Sequence, residues 1–386
     1  MGILRLLLAL SVIADHTSGF FGNHLVGGPT AVQSFYLISG FYMALVLNGK
    51  YNFAGSYWPF IIQRILRLYP LYILILISTL VWAWAGLHWT GTAHTNASNW
   101  FSQDLDPLAK TLLSVSQIVL IGQDAVSFFI LTGTPLSLHY ASHSLTAANP
   151  AWSYLLVPQA WSISVEILFY LLAPFLVRMS VKWQILFVAG TMAVRSAIYW
   201  GLGLNYDPWT HRFMPIELGI FALGSLAYQF YDRFQIQLRK RRELAFVALG
   251  LIVLLSLLYS NAEIAFKRPG FNVLILASLP SLFAVFQKNA IDSWIAELSY
   301  PVYMVHMLVI YVVHGWIERL PEGYQGVIYA VVSIVAAGLL YMFFMKPLEL
   351  VRKWIFGREK KQARQAERET DVESVAPIAN SVRESL

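Results

Sequence analysis

Residues 65–87 read ILRLYPLYILILISTLVWAWAGL, an apolar run in which Arg67 is the only charged residue. An α-helix needs about 20 such residues to cross the hydrocarbon core of a bilayer. Similar runs recur along the chain, at residues 3–18, 30–48, 160–177, 184–203, 215–231, 244–260, 270–287, 296–318 and 323–346. The sequence therefore predicts an all-α, polytopic integral membrane helix bundle of about ten transmembrane helices.

The composition supports a membrane protein. The 386 residues are 57% hydrophobic and only 12% charged, whereas an ordinary soluble domain has about 25% charged residues. The net charge of +6 matters less in such a protein than the positions of the basic residues. We expect the lipid bilayer as a partner, and no nucleic acid. The absence of cysteine excludes disulfides, thiolate catalysis and cysteine-ligated metals.

The first apolar run, RLLLALSVIADHTSG at residues 5–19, has the basic and then hydrophobic character of a signal peptide. A signal peptide ends in a cleavage site with the pattern small-x-small, whereas this run ends in Ala14, Asp15 and His16. We therefore predict that the run is a retained first helix.

The segment 111–130, TLLSVSQIVLIGQDAVSFFI, is long enough to cross a membrane but carries two Gln, an Asp and several Ser. If it does not cross and the N-terminus is cytoplasmic, most basic residues fall inside, as the positive-inside rule requires. Arg195 then lies within a helix, and the basic residues outside are Lys110, Arg212, Lys267, Arg268 and Arg319. We therefore predict ten spans with both termini in the cytoplasm.

This topology predicts a membrane domain at residues 1–350 and a tail at residues 351–386. Within the domain, residues 88–159 form a long external region, in which residues 111–130 are either re-entrant or lie on the surface. An insertion of about 70 residues on one face of a bundle indicates a function. The tail has mixed charge and few aromatic residues, which is typical of a disordered cytoplasmic segment.

Ionisable residues inside a bilayer are costly, and each is therefore a functional candidate. Arg5 and His16 are eleven residues apart, roughly 16 Å along a helix, so Arg5 lies at the cytoplasmic interface and His16 toward the outer half. A neutral imidazole is well suited to act as a general base near pH 7. A histidine that only hydrogen-bonds within the bundle, with Asp15 at the outer surface, fits the position equally well.

A second candidate is QRILRLYPLY at residues 63–72, where Arg64 and Arg67 are three residues apart and share one face of a helix. They are either anchors at the cytoplasmic interface or a pair of guanidinium groups that binds phosphate.

A third candidate is Glu166, within the otherwise apolar QAWSISVEILFY at residues 159–170. Its carboxylate must pair or be protonated, so it either forms a salt bridge, with Arg195 as a candidate, or orients a catalytic histidine.

Two further histidine motifs are less specific. SYPVYMVH at residues 299–306 ends in a second buried histidine, His306, which alone is typical of a bundle histidine whose hydrogen bonds are satisfied. The pair His139 and His143 in HYASH has no intervening Glu and no helix signal, so it is a poor metal site. We expect no metal ligands in this chain.

Six motifs in this order resemble the membrane-bound acyltransferase 3 family, which includes bacterial O-antigen, exopolysaccharide and Nod-factor acetylases. The resemblance runs from Ile3 to about Phe344. The motifs are Arg5-x10-His16, FYLISGFYMAL at 35–45, Arg64-x-x-Arg67 followed by LYPLY, WSISVEILFY at 161–170, HRFMPIELGIFALG at 211–224 and SYPVYMVH at 299–306.

The resemblance implies transfer of an acyl group, usually acetyl from acetyl-CoA, to a carbohydrate hydroxyl at or beyond the outer face of the bacterial inner membrane. The acceptor would be lipopolysaccharide, exopolysaccharide or a lipid-linked oligosaccharide, and acyl-CoA would be a substrate rather than a bound cofactor. His16 is similar to the family's essential histidine, and Arg5, Arg64 and Arg67 match its CoA-binding positions. Glu166 matches the acidic residue of the WSxxxE helix. Ser39 matches the serine of the SGF motif, and further site candidates are Asp15, Arg212, Tyr303 and His306.

Two other classes of function remain open. A proton-coupled transporter or flippase of a glycan or small metabolite would also place His, Glu and Arg inside a ten-helix bundle. We find no internal repeat of the kind that many transporters have. A membrane scaffold for polysaccharide assembly would leave the buried ionisable residues dispensable.

Overall fold

The computed structural model describes residues 1–352, and the chain divides into two units, Met1–Gly338 and Leu339–Leu386. The predicted tail therefore lies outside the described residues except for Val351 and Arg352. The helices are α1 (Gly2–Asp15), α2 (Gly27–Asn48), α3 (Tyr57–Thr90), α4 (Ala97–Ser102), α5 (Pro107–Val119), α6 (Gln123–Val126), α7 (Trp161–Arg178), α8 (Val181–Ser196), α9 (Met214–Lys240), α10 (Arg242–Tyr259), α11 (Lys267–Phe286), α12 (Ala290–Ile317) and α13 (Glu322–Leu340). A π-helical turn follows α8 (Ala197–Gly201), and another follows α13 (Tyr341–Met345).

The predicted all-α, polytopic membrane bundle is confirmed. Seven stretches of the described chain are long and apolar enough to cross a bilayer: Gly27–Asn48, Tyr57–Thr90, Pro158–Arg178, Arg242–Tyr259, Lys267–Phe286, Ala290–Ile317 and Glu322–Arg352. The other long helices are α8 and α9, together with α1, whose 14 residues span about 21 Å, less than the hydrocarbon core of about 30 Å. Which side of the membrane holds the termini stays a prediction.

Helix α1 is enclosed by protein rather than by lipid. It packs between α2 and α12, and Leu8 and Ile13 are completely buried. Asp292 in the first turn of α12 accepts hydrogen bonds from the backbone N–H groups of Gly2, at 2.6 Å, and Ile3, at 3.2 Å. A helix N-terminus leaves its first N–H groups without intrahelical partners, so this carboxylate caps α1 and fixes its register against α12.

The loop after α1 lies at one end of the bundle, which we call the histidine end because His16 begins this loop. There Ser18 donates to the carbonyl of Glu322 at 2.8 Å, and Asn23 donates to that of Leu257 at 2.7 Å. These bonds bring together the loop, the C-terminal end of α10 and the N-terminal end of α13.

The opposite end, which we call the arginine end because Arg5, Arg64 and Arg67 lie near it, holds the N-termini of α1 and α12. There Arg178 at the end of α7 donates to the carbonyl of Tyr51 at 3.2 Å, just before α3 begins. The N-terminal end of α3 and the C-terminal end of α7 thus lie at the same end of the bundle.

The region before α7 builds a small core of its own around buried residues that include Leu105, Leu113 and Tyr154. It contains α4–α6 and a two-stranded antiparallel hairpin, β1 (Phe129–Thr132) and β2 (Ser137–Tyr140). Helix α5 ends at Val119, and the next residue, Leu120, has a left-handed backbone (φ 57°). Residues 111–130 therefore do not cross as one helix. The exposed apolar side chains of α5, among them Leu108 and Leu112, suit a position at the membrane surface.

Helices α2 and α9 approach so closely that they exclude side chains at two glycines. A Cβ on Gly40 would overlap the carbonyl oxygen of Phe221, and one on Gly224 would overlap that of Leu37. Small residues let membrane helices pack backbone to backbone. The glycine of the SGF motif thus has a packing role, which places the neighbouring Ser39 on a closely held helix.

We expect Gly40→Ala to lower the free energy of unfolding by at least about 2 kcal/mol, because the two helices must separate to admit the methyl group. The matched control is Gly250→Ala in α10, where a Cβ meets no atom within 4 Å and alanine raises helix propensity. Thermal unfolding of the detergent-solubilised protein should show a lower Tm for Gly40→Ala alone. Equal Tm values for the two variants would contradict the packing role.

Candidate active site

A cavity of about 390 Å³ lies between α1, α2, α3, α7, α11 and α12. This volume falls in the range of small-molecule sites, roughly 300–1,000 Å³. The predicted site residues on its wall are Arg5, Ser39, Arg64, Arg67, Glu166 and Tyr303. Folding therefore brings together residues that are up to about 300 positions apart in the sequence.

Three arginines from two helices line the cavity toward the arginine end. Arg5 projects from α1, while Arg64 and Arg67 project from the first turns of α3. The Nε of Arg5 is buried and has no hydrogen-bond partner within the described chain, and the guanidinium of Arg64 lies 5.6 Å from the ring centre of Phe60. A buried guanidinium nitrogen without a partner favours an anionic ligand.

Acidic residues share this wall and limit its positive charge. Arg67 forms an ion pair with Glu297 of α12 at 3.6 Å, with both side chains partly exposed. Asp292, the cap of α1, lies on the same wall. Neither acid was predicted as a site residue, because nothing in the sequence places the first turns of α12 beside Arg5 and Arg67.

Glu166 does not have either of the partners that the sequence suggested. Its Oε1 accepts hydrogen bonds from the hydroxyls of Ser39, at 2.6 Å, and Tyr170, at 2.5 Å. The predicted pairing with Arg195 is wrong, since Arg195 bonds to Glu217 at 2.6 Å. Glu166 is thus a hydrogen-bonded carboxylate on the cavity wall. Its bond with Ser39 links α2 to α7, and its bond with Tyr170 lies within α7.

The ion pair of Arg195 and Glu217 belongs to a buried polar network away from the cavity. Glu217 in the first turn of α9 is completely buried and also accepts from the amide of Gln33 at 3.2 Å. Asn272 donates to Gln33 at 3.1 Å and accepts from Ser34 at 3.0 Å. This network ties together α2, α8, α9 and α11.

His16 and His306 face each other at the histidine end, with ring centroids 5.2 Å apart. His16 follows the last residue of α1 and is accessible to solvent, although protein atoms surround much of it. His306 of α12 is completely buried. Neither lies on the cavity wall, but Tyr303 does, and the ring centroids of Tyr303 and His306 are 5.9 Å apart. A continuous row of rings thus leads from the cavity to His16.

Arg212 lies in the loop before α9, close enough to interact electrostatically with His16. Its Nε donates to both carboxylate oxygens of Asp207 at 3.1 Å, and its guanidinium lies 4.3 Å from the ring centre of Trp161. Burial raises the pKa of Asp207, a shift that Arg212 opposes. Burial and Arg212 hold the pKa of His211 well below its usual value, so His211 is neutral at pH 7 and adds no charge here.

Asp15 lies beside the first residues of α2. A Cβ on Gly28 would come within 2.7 Å of its Oδ2, so glycine makes room for the carboxylate. Negative charge is favourable at a helix N-terminus. Asp15 is exposed, which fits the interfacial interpretation of this residue.

The two histidines of HYASH have separate contacts. His139 is on β2 and bonds to Ser137 at 3.0 Å, while the ring of His143 stacks on Tyr206 at 3.9 Å. Within residues 1–352, no group of three or more His, Asp or Glu side chains is arranged to hold a metal ion.

Residues 1–342 match the family model of acyltransferase 3, described as an acyltransferase domain. Neither a curated protein nor a solved structure matches the chain significantly. The match covers most of the 386 residues and includes the cavity and both histidines, so the chain belongs to the acyltransferase 3 family and is a membrane acyltransferase.

Proposed function

We propose that the protein transfers an acetyl group from acetyl-CoA to a hydroxyl of a cell-surface or exported carbohydrate in the bacterial inner membrane. The observation that supports this most is the course of the cavity. It begins among Arg5, Arg64 and Arg67, and it ends at Tyr303, next to the pair His16 and His306. One end suits the phosphates of a cytoplasmic donor, and the other presents a base to an acceptor from the opposite side.

The donor binds with its phosphates at the three arginines. Guanidinium groups form paired, charge-assisted hydrogen bonds with phosphate. The pantetheine arm then extends along the cavity past Ser39 and Glu166, whose hydroxyl and carboxylate can bond to its amides. The distance from Arg5 to His16 along α1, roughly 16 Å, is on the order of the length of that arm.

The acceptor enters at the histidine end. His16 removes the proton from a sugar hydroxyl, whose oxygen attacks the thioester carbonyl; the C–O bond forms as the C–S bond breaks. The thiolate leaves and takes the proton from His16, so free CoA and the acylated sugar are the products. A covalent acyl-histidine on His16 is the alternative route to the same products.

The carbohydrate would lie among the residues near Arg212 and Trp161, where a guanidinium and an aromatic ring are already in place. Aromatic rings and neutral hydrogen-bonding groups suit sugars. The adjacent region of residues 88–159 is linked to this loop, since Trp209 donates to the carbonyl of Ser142 at 3.3 Å. Lipopolysaccharide, exopolysaccharide and lipid-linked oligosaccharide are the acceptor classes in question.

Membranes that contain the protein, incubated with acetyl-CoA labelled in the acetyl group, should incorporate label into extracted glycan. The control is the same membrane with the His16→Ala variant at equal abundance. A mass increase of one acetyl unit in the surface polysaccharide would identify both the group and the acceptor. Absence of label from glycan, lipid and protein would contradict the proposal and favour a carrier or a scaffold.

A further inference from the structure

We infer that His306 is a positioning residue for His16: its Nε2 accepts a hydrogen bond from a ring N–H of His16 and holds the other nitrogen of His16 toward the acceptor hydroxyl. The inference rests on the proposed role of His16 as the base. It gives His16 a neutral imidazole as its partner, in place of the carboxylate of Glu166 that the sequence suggested.

The hydrogen bonding of His306 fixes what its ring can do. Its Nδ1 lies 2.6 Å from the backbone carbonyl oxygen of Tyr303. A carbonyl oxygen only accepts, so Nδ1 carries the hydrogen and Nε2 carries a lone pair. Nε2 is buried and has no hydrogen-bond partner among the residues described. Such a group is unfavourable unless it gains a donor.

The neighbouring ring of His16 can donate this hydrogen bond through a ring N–H. An N–H···N bond of about 2.9 Å, in line with the centres of two imidazole rings, places the ring centroids about 5 Å apart. The observed separation of His16 and His306 is 5.2 Å, with the rings tilted by 32°. A rotation of the accessible His16 ring, without any movement of helices, therefore completes the bond.

The ring of His306 is held firmly enough to act as a support. The side chain of Gln159 donates to the carbonyl of Met304 at 2.7 Å, and the hydroxyl of Tyr303 lies 2.6 Å from that of Ser162 and donates to the carbonyl of Gln159 at 3.0 Å. These bonds fasten the turn of α12 that carries His306 to the N-terminal end of α7. The position of this turn is therefore fixed by hydrogen bonds to the neighbouring helix.

Three other candidate partners of His16 have surroundings of their own. Glu166 accepts hydrogen bonds from Ser39 and Tyr170 on the cavity wall. Asp15 acts on His16 electrostatically, but it is exposed and its carboxylate lies beside Gly28 at the start of α2. Arg212, which only donates, is bonded to Asp207. In a nucleophile–base–orienter arrangement the third group accepts the second N–H of the base, and the buried Nε2 of His306 is placed to do so.

The test compares four variants of the purified full chain. His306→Leu removes the acceptor, His306→Gln replaces it with an amide oxygen of similar reach, and His306→Asn has an amide that is too short. His314→Leu, also on α12, is the control; His314 bonds to Tyr329 at 2.9 Å, away from the cavity. Steady-state transfer and acetyl-CoA binding are measured for each variant, and thermal unfolding reports on the fold.

We expect kcat to fall roughly 100-fold in His306→Leu and in His306→Asn. The KM for acetyl-CoA and the affinity for acetyl-CoA should not change. His306→Gln should retain most of the activity, and His314→Leu should match the wild type. If the leucine variant does not fold, the comparison of His306→Gln with His306→Asn tests the inference.

Equal activity of the Gln and Asn variants, or a loss that appears in KM rather than in kcat, would overturn the inference. Failure of the proposed function is distinguishable, because it shows as absence of transfer by the wild type or as full activity in His16→Ala. Either of those results would overturn the inference as well.

Discussion

Replacing His16 with alanine will abolish acyl transfer while the protein still inserts and folds. His16 caps no helix through its side chain and is accessible to solvent, so its removal costs little packing. Loss of the base that accepts the hydroxyl proton lowers rates by about 10²–10⁴-fold in general acid–base catalysis. Labelled acetyl transfer, measured with protein of equal abundance and equal Tm, checks the prediction.

A matched control is His88→Ala. That histidine is exposed near the end of α3 and stacks on Trp84, with centroids 5.7 Å apart and nearly parallel planes. The His88→Ala variant should transfer acetyl at the wild-type rate. Retention of activity by His16→Ala would remove His16 from the mechanism, whatever the other variants do. Activity lost together with the Tm would indicate a structural role instead.

The double variant Arg64→Ala with Arg67→Ala will bind acetyl-CoA at least about 100-fold more weakly than the wild type. Each charge-assisted hydrogen bond is worth about 1.5–3 kcal/mol, and 1.4 kcal/mol corresponds to a tenfold change in Kd. Isothermal titration calorimetry with the detergent-solubilised protein measures the effect directly. In the double variant, Glu297 also loses its partner Arg67 and would repel the phosphates.

Acetyl-pantetheine sharpens this experiment because it carries the thioester without phosphates. The wild type and the double variant should bind it equally, so the loss should appear with acetyl-CoA alone. Arg239→Ala with Arg241→Ala is the control pair; these residues are exposed where α9 ends and lie outside the cavity. Unchanged acetyl-CoA affinity in the Arg64 and Arg67 double variant would refute the phosphate site.

The Glu297→Gln variant should not lose acetyl-CoA affinity as the double arginine variant does. It separates the effect of charge from the effect of packing. It keeps the shape of the side chain but removes the carboxylate that pairs with Arg67 at 3.6 Å. Acetyl-CoA should then bind as tightly as in the wild type or more tightly. Weaker binding in Glu297→Gln would mean that the ion pair positions Arg67 for the ligand.

The sequence was sufficient for the fold class and for several of the residues that line the cavity. Apolar runs of the length of a bilayer span predict membrane helices irrespective of what they pack against, because the constraint comes from the thickness of the lipid. Ionisable residues within such runs indicate function for a related reason, since burial in the bilayer disfavours them unless they have a role. Arg5, Arg64, Arg67 and Glu166 were found in this way and lie on one cavity, together with Tyr303, which was a candidate only through the resemblance.

The pairing of those residues was not predictable. Arg195 was one candidate partner of Glu166 in the sequence, yet Arg195 bonds to Glu217. The sequence indicates on which face of its own helix a residue lies. The rotation of that helix in the bundle, and therefore the residue's neighbours, depend on how the helices pack. Ser39 reaches Glu166 because α2 and α7 pack with those faces together, whereas Tyr170 is four residues further along the same helix as Glu166.

The sequence by itself therefore determined an all-α membrane bundle, the residue types at its two ends and the resemblance to acyltransferases. Only the tertiary structure decided that α1 lies inside the bundle, that Asp292 caps it and that His306 faces His16. The physical reason is the range of each interaction. Hydrophobic length and helix periodicity act along the chain, whereas hydrogen bonds and ring contacts act over a few ångströms between segments that only packing brings together.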